Sequence, residues 1–158
     1  MNLPGAIKHI LYGALVIILQ AALFNKLTLA GGIIDFVLMY LLFQCGQYTR
    51  TQAILIAALF GLLADATTDL WGLQLFSKVG TIYLFHPLLV RIQNNRFLLW
   101  QIALFLLLIT LSHNTILLLV SLFTELYASE FSVVTTLIST TLFTVSFGLI
   151  YYLIARDR

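Results

Sequence analysis

Between Phe97 and Thr124 the chain carries no Asp, Glu, Lys or Arg. A helix rising 1.5 Å per residue needs about 20 residues to cross a hydrocarbon layer about 30 Å thick, so this run alone is long enough to span one. In lipid every backbone N–H and C=O has to be paired within the protein, which leaves helices and closed barrels as the spanning structures. The apolar residues here run together, as over Ile102–Leu111, and do not alternate with polar ones. That pattern predicts helix and argues against a β-barrel.

The rest of the chain has the same character. Of its 158 residues, 61% are apolar and 9% are charged, with a mean hydropathy of +1.05. A soluble domain averages about 45–50% apolar and about 25% charged, so this chain lacks the polar surface to cover a water-soluble globule. The composition excludes a soluble enzyme and a disordered tail. Eight scattered basic residues form no patch, which excludes a nucleic-acid binder. The length suits a single domain; six spans of about 20 residues would leave little for loops.

Turn residues and charges divide the chain into six apolar blocks, at 7–24, 33–48, 52–67, 73–93, 97–124 and 132–155. The predicted fold is therefore all-α, a polytopic bundle of six transmembrane helices in one domain over 1–158. Lys8 and His9 ahead of the first block imitate a secretory leader. Gln20-Ala21-Ala22-Leu23-Phe24 is a poor cleavage site, however, and predicts a retained helix. Cys45 is single, which excludes an internal disulfide and a multi-cysteine metal site; in an apolar block it reads as a small buried hydrophobe.

The basic residues set the orientation. With both termini in the cytoplasm, Lys8, Arg50, Arg91, Arg96, Arg156 and Arg158 fall inside and only Lys26 and Lys78 outside. Asp65, Asp69, Glu125 and Glu130 then lie at the outer ends. Tyr12, Tyr48, Trp100, Tyr151 and Tyr152 sit near the inner interface, Trp71 and Tyr127 near the outer one.

Three polar or small-residue patterns stand out. The third block reads Ala53-x3-Ala57-x3-Gly61-x3-Asp65. Small residues four apart let a neighbouring helix backbone come close, which replaces the hydrophobic driving force that lipid removes. Asp65 either caps the outer turn of that helix or, with Asp69-Leu70-Trp71-Gly72, forms a specific outer feature. Lys78 is placed to neutralise Asp65 or Asp69, because a charge at this depth needs a partner. In the last block Ser132, Thr136, Thr140, Thr144 and Gly148 form a second ladder, for helix packing or for a hydroxyl-lined solute path. In the fifth, Ser112, His113 and Asn114 sit mid-span, as an interhelical hydrogen-bond cluster or as a ligand or proton site. Asp35 reads as a cap or pairing residue at the start of the second helix, and His86-Pro87 as a kink or break in the fourth.

No phosphate-binding loop, metal-ligand spacing or activated nucleophile is present in the sequence, so neither an enzymatic activity nor a cofactor is expected.

The order of features resembles the MreD family of rod-shape-determining membrane proteins. Gly61-Leu62-Leu63-Ala64-Asp65, then Gly72-Leu73 entering a helix that ends in His86-Pro87-Leu88-Leu89-Val90-Arg91, is similar to the family's G-L-x-x-D segment and the step opening its next helix. The resemblance is strongest over about residues 53–92 and extends to the helix count, His113-Asn114, the Ser/Thr-rich last helix and the basic C-terminus. Family members commonly carry a Pro before the second helix, where this chain reads Ile33-Ile34-Asp35. The resemblance implies a non-enzymatic inner-membrane component of the cell-elongation machinery that binds the bitopic coiled-coil protein MreC. It further implies a wider complex with MreB filaments and the lateral-wall peptidoglycan synthase, and Gly61, Asp65 and Gly72 are the residues that match the family's motif. The small-residue stripe and the acidic outer turn suggest that these three shape the surface for MreC. The resemblance also implies a fold similar to the S components of energy-coupling-factor transporters. Such an S component is the alternative reading. Those proteins dock through an Ala-x3-Ala stripe in their first helix, and Ile7–Phe24 has no small-x3-small pair.

Overall fold

The computed structural model describes residues 3–22, 33–68, 72–95, 97–122 and 130–156, with side chains described from 11–22, 33–68, 72–95, 97–122 and 135–154. Among these residues every element is a helix: α1 (Leu3–Ala22), α2 (Phe36–Cys45), α3 (Arg50–Thr68), α4 (Leu73–Asn94), α5 (Leu99–Leu122) and α6 (Glu130–Arg156). Four stretches are long and apolar enough to cross a membrane: α3, α4, α5 and Thr135–Ile154 of α6. Lys26, Asp69, Trp71, Arg96, Glu125, Tyr127 and Arg158 lie outside the described residues, as do the side chains of Lys8, Glu130, Ser132 and Arg156.

The second helix departs most from its predicted span. It covers only Phe36–Cys45 within the expected 33–48, about 15 Å of helix. Its position explains the shortness. α2 packs against α1, α3, α4 and α6, and Val37, Leu38, Leu41, Leu42 and Cys45 are all buried. A helix apolar on all sides belongs in the middle of a fold, where it has no outward face to make polar. Asp35 caps its start and the chain turns at Gly46 and Gln47. Cys45 is a buried hydrophobe, its Sγ 3.8 Å from Ala53 O.

Around α2 the consecutive helices α3, α4 and α5 pack side by side, α5 continues onto α6, and α1 leans on α2 and α3. Ala53, Ala57 and Phe60 are fully buried on the inner side of α3, and Phe60 lies against Gly13 of α1 and edge-on to Tyr40 of α2. Leu55, Leu59 and Leu62 of α3 and Phe76, Tyr83 and Leu84 of α4 point outward. A water-soluble bundle would keep such residues inside; outward they form the surface that lipid chains cover.

α4 passes through Pro87 without a break, so of the kink or break expected at His86-Pro87 the break is corrected. Proline has no N–H, so the carbonyl four residues earlier loses its helical donor. That carbonyl belongs to Tyr83, and Arg50 Nη2 donates to it at 3.1 Å while its guanidinium lies 4.2 Å from the centre of the Tyr83 ring. His86 is hydrogen-bonded through Nε2 to Tyr48 O at 3.0 Å, fixing this turn of α4 to the α2–α3 connection.

Candidate functional site

The α3–α4 corner is built from the residues of the third block's motif. At Gly61 the two backbones come so close that a Cβ would stand 2.6 Å from Leu75 Cα and 3.1 Å from Gln74 O. One turn on, Asp65 turns its carboxylate to the start of α4. Oδ1 accepts from Gln74 N at 2.8 Å and Oδ2 from Leu75 N at 3.0 Å. The first N–H groups of a helix have no partner within it and carry the positive end of its dipole, so a carboxylate there both pairs and neutralises. Gly72 supplies the left-handed turn before α4, at φ 88°. Asp65 thus caps the following helix, not its own.

A second cluster lies deeper and joins four helices. Asp35 caps α2 through Oδ1, which accepts from Leu38 N at 2.7 Å, and its own N–H donates to Thr144 Oγ1 of α6 at 3.3 Å. Its Oδ2 receives Lys78 Nζ of α4 at 2.7 Å and lies 3.4 Å from His113 Nε2 of α5. Lys78 also donates to Gln74 Oε1, and His113 Nδ1 is 3.3 Å from Thr81 Oγ1. Lys78 and His113 are each only 1% exposed. The partner of Lys78 is therefore Asp35, which corrects the expectation of Asp65; Asp69 lies outside the described residues. Asp65 is occupied by two amides, whereas Asp35 sits beside α4 at the depth of Lys78.

Beside this cluster is a cavity of about 360 Å³. It is placed where α1, α3 and α5 end and where α2, α4 and α6 begin. Its polar lining includes Gln20, Asp35, Gln74, His113, Asn114, Thr136 and Thr140; Ile33, Ile34, Leu117, Leu118 and Leu137 make the apolar part.

The predicted residues divide between these places. Ala53 and Ala57 pack in the core, and Gly61, Asp65 and Gly72 make the corner. Thr140 accepts from Ile33 N at 3.2 Å and Thr144 from Asp35 N, so the α6 ladder holds the residues that lead into α2. Gly148 is closely packed on Leu106, and Thr136 lies on the cavity wall. His113 joins the charged cluster and Asn114 Nδ2 donates to Thr141 Oγ1 at 2.8 Å; the Ser112 hydroxyl makes no hydrogen bond among the described residues. Sequence reasoning missed Gln20 and Gln74, single amides with no pattern around them. It had a usable signal for Asp35 and Lys78, opposite charges inside apolar segments that need one another.

Among the described residues no group of three His, Cys, Asp or Glu is arranged to hold a metal ion. No family model, curated protein or solved structure matches the chain.

Proposed function

We propose that this chain is a six-span bacterial inner-membrane protein of the MreD rod-shape type, a non-enzymatic scaffold of cell elongation that binds MreC. The observation that carries the reading is the Gly61–Asp65–Gly72 corner. The residues on which the resemblance rests are those that lock α3 to α4, through one close backbone approach and one double cap. A scaffold needs a fixed surface more than it needs reacting groups. The corner holds α3 and α4 in one register, and their outward residues Leu55, Leu59, Leu62, Phe76 and Leu84 form an apolar face for a single transmembrane helix. Through MreC the protein joins MreB filaments and the lateral-wall peptidoglycan synthase, with both of its termini in the cytoplasm.

Affinity capture of the tagged chain from native membranes tests this reading. The expected companion is a protein with one transmembrane helix and a periplasmic coiled coil. Its loss in Leu59→Glu, a change on the outward face, would place the contact there. Recovery of a pair of ATPases with a coupling membrane subunit would overturn the scaffold and assign the chain to the transporter S components.

A further inference from the structure

The cavity beside His113 presents three amide side chains whose orientations are fixed by chemistry. Gln74 Oε1 faces Lys78 Nζ, which can only donate, so the Gln74 NH2 group is left over. Gln20 Oε1 accepts from Val37 N at 3.0 Å, which leaves a second NH2 group. Thr141 spends its hydroxyl hydrogen on Leu137 O at 2.7 Å, so the Asn114 group that reaches Thr141 is its Nδ2, and the Asn114 carbonyl is left over. None of these three remaining groups has a hydrogen-bond partner among the described residues, and Asn114 is 9% exposed. All three residues line the cavity, and a cavity this size is in the range of small-molecule sites, where a few placed polar groups orient the occupant.

The charge balance narrows the occupant. Asp35 and Lys78 cancel one another at 2.7 Å, and the Asp35 oxygens are already engaged by Leu38 N, Lys78 and His113. Among the described residues a charged guest would meet no free counter-charge, and burying an unpaired charge is far more costly than burying a hydrogen-bonded dipole. We propose that this cavity binds a small uncharged solute with two carbonyl-type acceptors, one donor and an apolar body, the pattern of a cyclic imide or ureide. The acceptors meet the NH2 groups of Gln20 and Gln74, the donor meets Asn114, and the body lies on Leu117, Leu118 and Leu137. This site is independent of the scaffold reading, because the outward face of α3 and α4 takes no part in it.

Thermal unfolding of the full chain in detergent micelles, with thymine as the probe and orotate as its carboxylate-bearing counterpart, tests the site. Thymine at about 10 mM is expected to raise the unfolding temperature of the wild type by about 2–4 °C. The shift is expected to vanish in Leu117→Trp, which fills the cavity from an apolar wall position, and in Asn114→Leu, which removes the acceptor. Leu118→Phe is a second filling variant should Leu117→Trp not unfold cooperatively. Orotate is expected to give no shift. The proposal is overturned by no thymine shift in the wild type, which would mean a hydrated void. It is equally overturned by a shift that survives in a cooperatively folded filling variant, or by an equal shift with orotate.

Discussion

Lys78 of α4 and Asp35 at the head of α2 meet at 2.7 Å, though 43 residues separate them along the chain. The pair is the point at which four helices are joined, since Asp35 also reaches Leu38, Thr144 and His113. Pairing offsets the cost of taking two charges out of water, so removing one partner should harm more than removing both. Lys78→Met is expected to destabilise by about 3–5 kcal/mol, because it leaves the carboxylate without its cation. Asp35→Asn retains an acceptor for Leu38 N and isolates the ammonium instead. The double variant Asp35→Asn/Lys78→Met is expected to unfold at a higher temperature than either single one, measured by thermal unfolding in detergent. Additive losses would show that the two residues act separately.

The close approach at Gly61 makes a sharper demand than its place in a small-residue stripe suggests. A methyl group there meets Leu75 Cα at 2.6 Å, and backbone cannot swing aside as a flexible side chain can. Gly61→Ala is expected to cost about 1–3 kcal/mol or more by forcing α3 from α4. Gly80, in the middle of α4, is the control. A Cβ there meets Ile116 Cδ1 at 3.5 Å and Cγ2 at 3.8 Å, both ordinary contacts. Gly80→Ala is therefore expected to be neutral or mildly stabilising, since alanine favours helix by about 1 kcal/mol over glycine. Equal effects of the two changes on unfolding temperature would refute the close-packed corner.

Asp65 serves two backbone amides with two oxygens, so its variants should be graded. Asp65→Asn keeps one acceptor and loses the charge at the start of α4; Asp65→Ala loses both. Capping substitutions cost about 0.5–2 kcal/mol, which puts Asn at the lower end and Ala at the upper. Hydrogen exchange at Gln74 and Leu75 is the direct measurement, with faster exchange expected in Asp65→Ala. Unchanged protection at these two amides would count against the cap.

How much of this was legible in the sequence depends on how far apart the interacting residues lie. The Gly61–Asp65–Gly72 corner was visible because a close approach, a cap and a turn all fall within one short stretch and each calls for a particular residue type. The depth of α2 was not visible, because hydropathy cannot separate a helix facing lipid from one surrounded by protein: Leu41 of α2 and Leu55 of α3 are equally apolar, yet one is fully buried and the other 64% exposed. The sequence offers the nearest acids, Asp65 and Asp69, as candidate partners of Lys78 without choosing one, whereas packing brings α2 and its Asp35 against α4. The cavity was out of reach for the same reason. Gln20, Gln74 and Asn114 come from three helices, and only packing places them together.

Pro87 and Arg50 offer a test in which one substitution should alter the effect of another. Pro87 cannot donate to Tyr83 O, and Arg50 supplies the missing donor at 3.1 Å. In Pro87→Ala a backbone N–H becomes available to the same carbonyl, so the guanidinium is no longer needed there. Arg50→Leu in the wild-type background is expected to cost about 1 kcal/mol, with the carbonyl left unpaired. In the Pro87→Ala background the same change should cost clearly less, apart from the lost contact with the Tyr83 ring. A double-mutant cycle on unfolding free energies reads the difference. Coupling of about 0.5 kcal/mol or more supports the exchange of donors. Coupling indistinguishable from zero would mean that Arg50 holds α4 through the ring of Tyr83 alone.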